Sequence, residues 1–222
     1  MSDTTYTVIR DITSYDRRQD FIHPETEPIY HDKWIKNWED LLRDIRHKPH
    51  AVGIEIGSNY GGFITWCLDR VLTDPTSHLY SIDILSNKYL ENNTKPYKNL
   101  TLIRDLSERA LRKLTHEGKS ELWADFVYID GCHFSKCTLE DAVMAFPLLK
   151  YGGILAFDDY GWGIHTTNES VKPKNGIDAF LKAYEGHYEV IGLGWQVYLK
   201  KIKCCYPPEE IENQGGIGGK YD

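Results

Sequence analysis

The sequence predicts an α/β fold: a mostly parallel, seven-stranded sheet with helices on both faces and an antiparallel hairpin at its C-terminal edge. Three observations predict it. Apolar runs and helical patterns alternate five times between Val52 and Tyr160 with short connections, and strand–helix–strand units in one sheet return parallel. Those runs end on polar groups, among them Glu55, Asp83, Asp105, Asp130 and the pair Asp158–Asp159, so chemistry-bearing residues collect at the carboxyl edge of the sheet. The last two apolar runs are separated only by Gly192-Leu193-Gly194-Trp195, which suits a hairpin and is too short for a crossover.

The elements follow in order. Residues 1–30 are polar, punctuated by Pro24 and Pro28, and read as an irregular segment or a lid over the site. From His31 to Arg46, Trp34, Ile35, Trp38, Leu41, Leu42 and Ile45 recur at helical spacing, and Pro49 closes that helix. The first strand, Val52–Ile56, runs into a glycine-bearing turn and the helical pattern Phe63–Leu68. The second, Ser77–Ile84, is followed by a polar connection from Asn87 to Lys98. The third, Leu100–Ile103, ends in Arg104-Asp105-Leu106-Ser107 ahead of a helix reaching Leu114. The fourth, Ala124–Ile129, ends in Asp130-Gly131-Cys132-His133 and precedes a helix over Thr138–Lys150. A turn at Tyr151-Gly152-Gly153 opens the fifth, Ile154–Tyr160. An amphipathic helix, Gly176–Tyr184, leads to the hairpin strands Tyr188–Ile191 and Gln196–Leu199. One folded domain is therefore expected over 31–203, with a mobile glycine-rich tail over 204–222.

Composition narrows the class. The 222 residues suit one domain, and a formal charge of −7 without a dense Lys/Arg run argues against a nucleic-acid partner. No apolar stretch approaches the ~20 residues of a membrane span. Five cysteines without framework spacing, and no signal-peptide profile, predict a cytoplasmic protein; a homo-oligomer is left open.

The stretch Val52-Gly53-Ile54-Glu55-Ile56-Gly57-Ser58-Asn59-Tyr60-Gly61-Gly62 decides the ligand class. It lacks the Gly-x-Gly-x-x-Gly dinucleotide fingerprint, since Asn59 fills the second glycine position, and it lacks a Walker Gly-Lys-Ser/Thr. An acid on the strand followed by Gly57 and Gly61 suits a small cationic or zwitterionic ligand. This stretch resembles the first motif of class I S-adenosylmethionine-dependent methyltransferases, whose fold is Rossmann-like. The resemblance implies that Glu55, Gly57, Ser58, Asn59 and Gly61 hold the methionine part of S-adenosyl-L-methionine. It further implies that Asp83 takes the ribose hydroxyls and that Asp105 and Ser107 touch the adenine, although Ser107 serves equally well as a helix cap.

If the fourth and fifth strands are neighbours, ~4.8 Å apart, then Asp130, Asp158 and Asp159 crowd together. Such acids need raised pKa values or a cation, and oxygen ligands suit a hard divalent metal such as Mg²⁺ or Mn²⁺. The segments Ile129–His133, Pro147–Gly153 and Phe157–Trp162 look like the small metal-dependent sugar O-methyltransferases of macrolide biosynthesis and their relatives. The resemblance spans about 31–201. It implies that Asp130 is a metal ligand and also a cofactor contact, that His133 is a general base, and that Asp158 and Asp159 complete the metal site. Two departures stand out: Asn59 where many class I enzymes have glycine, and Phe63 where catechol-type relatives have a hydroxyl side chain.

His133 is the best placed of nine histidines, with His165 next on a Gly/Trp-rich loop; specificity is expected in that loop, from Tyr160 to Asn175, and in the N-terminal segment. Cys132 and Cys137 lack the partners of a zinc site, and Cys204-Cys205 reads as incidental. The sequence thus predicts a metal-assisted O-methyltransferase acting on a sugar or glycan acceptor. A catechol-type small-molecule enzyme and a non-catalytic binding module are the alternatives; a nicotinamide dehydrogenase would need the missing glycine pattern.

Overall fold

The computed structural model describes residues 32–116 and 122–203. The expected N-terminal segment or lid (1–30), the tail from 204 with Cys204 and Cys205, and the side chains of Trp34 and Ile35 lie outside the described residues.

Seven strands form one sheet: β1 (Val52–Ile56), β2 (His78–Asp83), β3 (Leu100–Arg104), β4 (Ala124–Ile129), β5 (Leu149–Phe157), β6 (Tyr188–Leu193) and β7 (Val197–Lys201). Their order is β3-β2-β1-β4-β5-β7-β6. β1 to β5 pair in parallel, and β7 runs antiparallel to both β5 and β6. The chain works outward from β1 to β3, then restarts beside β1 at β4. That reversal puts the loops after β1 and β4 next to each other, which is where ligands enter open α/β sheets.

Side chains alternate across the sheet, so each face has its own core. On one face Ile54, Ile56, Val127, Ile129, Leu155, Phe157, Val197 and Leu199 pack against α4 (Ser107–His116), α5 (Ser135–Ala145) and α6 (Pro173–Ala183). On the other, Phe126, Tyr128, Ile154, Ala156 and Tyr198 meet α1 (Asp32–Leu41), α2 (Gly62–Arg70) and α3 (Lys88–Thr94). This second core is aromatic. Trp38 lies edge-on to Phe63, Tyr128 and Tyr198 at centroid distances of 4.9, 4.6 and 5.7 Å. Gly53 makes room for it, since a Cβ there would stand 2.2 Å from the Phe126 ring.

Several boundaries differ from expectation, each for a physical reason. The expected polar connection after β2 contains α3, whose amides Tyr89 and Leu90 are capped by the Asn87 side chain at 3.0 and 2.9 Å. α5 starts earlier and stops at Ala145, where a 3₁₀ turn over Phe146–Leu148 takes over around Pro147, which has no N–H to continue the helix. The expected turn at Tyr151-Gly152-Gly153 is a bulge within β5: Ala124 pairs with Leu149 but Phe126 with Ile154, so four residues oppose one. Lys201, 2% exposed, anchors that corner by donating to the carbonyls of Phe146 and Leu149, both at 2.9 Å.

Candidate active site

The loops after β1, β4 and β5 meet around a cavity of about 140 Å³. Trp38, Phe63, Trp66 and Tyr128 form its aromatic walls, and Glu55, Asp130, Asp158 and Gln196 its polar ones.

The β1 loop has a backbone that few residues tolerate. Gly57 (φ 97°) and Gly61 (φ 83°) are left-handed, and so is Asn59 (φ 46°). Asparagine is the residue best able to replace glycine in that conformation, which accounts for the departure at position 59. Gly57 is required twice over, because a Cβ on it would lie 1.9 Å from the Asp130 carbonyl oxygen. Glu55 is 1% exposed and accepts a hydrogen bond from Ser81, whose hydroxyl lies 2.6 Å from that of Ser58. Burial pushes the Glu55 carboxyl up to about 8, the Ser81 hydrogen bond opposing and the nearby Asp83 charge adding to the rise. Asp83 braces the loop: one oxygen accepts from the Ser58 and Asn59 amides at 2.8 and 3.0 Å, the other from Leu85 N at 2.8 Å.

The remaining expected adenine contacts are otherwise engaged. Asp105 accepts from Lys113 at 2.7 Å and from the Leu106 amide at 2.9 Å. Ser107 opens α4 and bonds to Asp141 of α5. Sequence reasoning missed the apolar residues here: Ile84, Leu85 and Leu106 are exposed beside Asp83 and Asp105.

Across the cavity, Asp130, His133 and Asp159 offer ligand atoms that all lie within 4.8 Å of one another. Among the described residues this is the metal-capable group. His133 Nε2 lies 2.8 Å from Asp159 Oδ2, and the His133 ring lies 4.6 Å from that of Trp162. The hydrogen bond to Asp159 raises the His133 pKa, against the effect of burial. Asp159 is itself left-handed (φ 58°), a conformation that aspartate tolerates better than most residues. Asp158 is not part of the group. It turns inward, where Tyr128 Oη and Gln196 Nε2 (2.7 Å) donate to one oxygen and the Asp159 amide (2.7 Å) to the other. Tyr128 Oη also lies 3.2 Å from Asp130. Burial, then the charges of Asp158, Asp159 and Glu55, hold the Asp130 pKa well above the usual carboxylate range; burial likewise raises Asp158. His165 is exposed and outside the cluster, and Cys132 and Cys137 interact with each other instead of joining it. Tyr128 and Gln196 were not foreseen. The signal for Tyr128 was its place in β4, two residues before Asp130.

Residues 54–160, the span from β1 to the end of the β5 loop, match a family model described as a methyltransferase domain. Solved structures share the chain's fold. MycE, a methyltransferase from the mycinamycin biosynthetic pathway solved with Mg and SAH, is 17% identical with a TM-score of 0.60, covering 91% of this chain and 56% of its own. An O-methyltransferase from Bacillus cereus in complex with SAH is 15% identical with a TM-score of 0.58, covering 82% of this chain and 86% of its own. The O-methyltransferase NovP is 14% identical with a TM-score of 0.57, covering 77% and 80%. The chain thus spans little more than half the length of MycE. No curated protein sequence matches it. Among the described residues, no helix is long and apolar enough to cross a membrane.

Proposed function

We propose that the chain is an S-adenosyl-L-methionine-dependent O-methyltransferase acting on a sugar hydroxyl of a glycan or glycoconjugate, with a divalent metal, Mg²⁺ or Mn²⁺, and His133 as general base. The observation that carries it is that the β1 loop, from Glu55 to Tyr60, shares one cavity with Asp130, and that Asp130 also belongs to the metal-capable group with His133 and Asp159. The cofactor supplies a positively charged sulfonium methyl, and its charge suits a cavity walled by buried acids. Asp83, with Ile84, Leu85 and Leu106, forms a polar-edged apolar seat for the nucleoside. The likeness to MycE, NovP and the Bacillus cereus enzyme supports the same assignment.

The donor set fits a divalent cation, since carboxylates and an imidazole suit Mn²⁺ and carboxylates suit Mg²⁺. Asp130 and Asp159 would hold it, with Asp158 fixing the floor through Tyr128. Bound there, the metal would lower the pKa of an acceptor hydroxyl and fix its position. With Nε2 donating to Asp159, His133 presents Nδ1 as the basic position, and Asp159 stabilises the imidazolium that forms once a proton is taken. Trp162 lies tilted against that ring and, half exposed beside it, would border the acceptor.

The deciding experiment is calorimetric titration with S-adenosylhomocysteine, with and without Mg²⁺ or Mn²⁺, followed by a screen of glycoside acceptors. Micromolar binding supports the assignment, and absence of binding in every condition refutes it. Exposed Trp162 also favours a second reading, a catechol-type enzyme, because a planar ring can stack there. Catechols in the same screen separate the two.

A further inference from the structure

Trp66 sits in the second turn of α2. It is 2% exposed, and its indole N–H has no hydrogen-bond partner among the described residues. A buried donor left unpaired is costly, and native structures rarely keep one without a reason. Trp66 also lines the cavity. Other donors there are already engaged: the Ser58 and Asn59 amides by Asp83, and Tyr128 and Gln196 by Asp158. Beside Trp66, the nine-residue helix α2 begins at the cavity wall with Gly62 and Phe63, and Gly61 gives its first turn no side-chain cap. Its leading amides carry the positive end of the helix dipole. Glu55 and Asp130 line the same cavity. One small space therefore combines buried acids with unsatisfied donors.

We propose that the Trp66 indole N–H and the first turn of α2 receive the carboxylate of an α-amino-acid zwitterion whose ammonium lies toward Glu55 and Asp130. Resting on the function proposed above, this zwitterion is the methionine end of the cofactor. Phe63 then ceases to be a gap in the site. The donor is supplied three residues later, on the same helical face. An indole donates and never accepts, so it favours a carboxylate and gives nothing to a protonated amine terminus.

The test compares wild type with Trp66→Phe, which keeps a ring and removes the N–H. Binding of S-adenosylhomocysteine and of its decarboxylated analogue, S-adenosyl-3-thiopropylamine, is measured by calorimetry on the full chain. The variant is expected to bind S-adenosylhomocysteine about 10-fold or more weakly, the scale of a lost hydrogen bond to a charged group. The analogue should bind both proteins equally, which also shows that the variant is folded. Unchanged affinity for S-adenosylhomocysteine, or equal losses for both compounds, overturns the inference while leaving the methyltransferase assignment standing. Failure of wild type to bind either compound overturns that assignment and the inference with it. In wild type, the ¹⁵N-indole resonance of Trp66 should move downfield with S-adenosylhomocysteine and stay in place with the analogue. The reverse pattern refutes the contact.

Discussion

The two ends of β4 carry the same residue type in opposite electrostatic circumstances. At its amino end Asp125 is buried, but Lys150 (2.7 Å), the Val52 amide (2.8 Å) and Lys48 (3.1 Å) all donate to it. Burial pushes its carboxyl upward, and those donors more than reverse the effect, leaving it below the usual range. At the carboxyl end the charges of Asp158, Asp159 and Glu55 add to burial, no lysine or arginine among the described residues offsets them, and the Asp130 pKa rises. One acid is settled by the fold. The other is not, and under the proposed function a cation would settle it, which would separate a structural carboxylate from a functional one.

The comparison breaks most readily at Asp130. Asp130→Asn should lower methyl transfer by roughly 10³-fold while the melting temperature holds or rises, because an uncompensated buried charge is removed. Turnover at the wild-type level would erase the distinction between the two ends. His133→Ala should slow turnover by about 10²-fold and leave Mg²⁺ or Mn²⁺ affinity in place. Loss of metal binding in that variant would make His133 a ligand and not the base.

Asp125→Ala should do the converse, costing about 1–3 kcal/mol of stability through the orphaned Val52 amide, with turnover per folded molecule unchanged. Chemical denaturation and rate measurements on the same sample decide this. The pH profile sharpens the contrast further. Glu55 has a raised folded pKa, so its contribution to stability is complete below 4.5 and is lost as pH rises through about 8. Asp125 has a lowered one, so its contribution is present above 3.8 and is lost as pH falls below that. Thermal melts of Glu55→Gln should therefore lose the decline on the alkaline side and keep the acid one. An unchanged alkaline limb would show that the Glu55 pKa is not raised in the folded protein. The smallest effect belongs to Lys48→Ala: with its side chain half in solvent, it should cost only about 0.2–1 kcal/mol.

The strand ends were legible in the sequence because parallel strands buried on both faces are continuous apolar runs, and Glu55, Asp83, Asp130 and Asp158 interrupt them sharply. The hairpin was legible from its short connection. What escaped was whatever depends on side-chain direction. Asp158 and Asp159 are adjacent, yet the left-handed backbone at Asp159 sends one acid inward to Tyr128 and Gln196 and the other to His133. Spacing alone cannot reveal that split. Nor could it reveal Gln196, which reaches Asp158 from 38 residues away. α3 was missed because its sequence has too few apolar residues to show a helical period; its cap at Asn87 was the available clue.

Gly57 has a wider consequence. Its α-carbon lies so close to the Asp130 carbonyl that no side chain fits between them, while the Asp130 amide bonds back to Ile56 at 2.8 Å. The loop that would seat the methyl donor and the loop that would activate the acceptor are thus bolted together like two jaws of a fixed gauge. Under the proposed function, the spacing between these two loops is set when the chain folds. Under that same function, new acceptors would be explored by exchanging the Tyr160–Asn175 loop while the gauge beneath it keeps its setting.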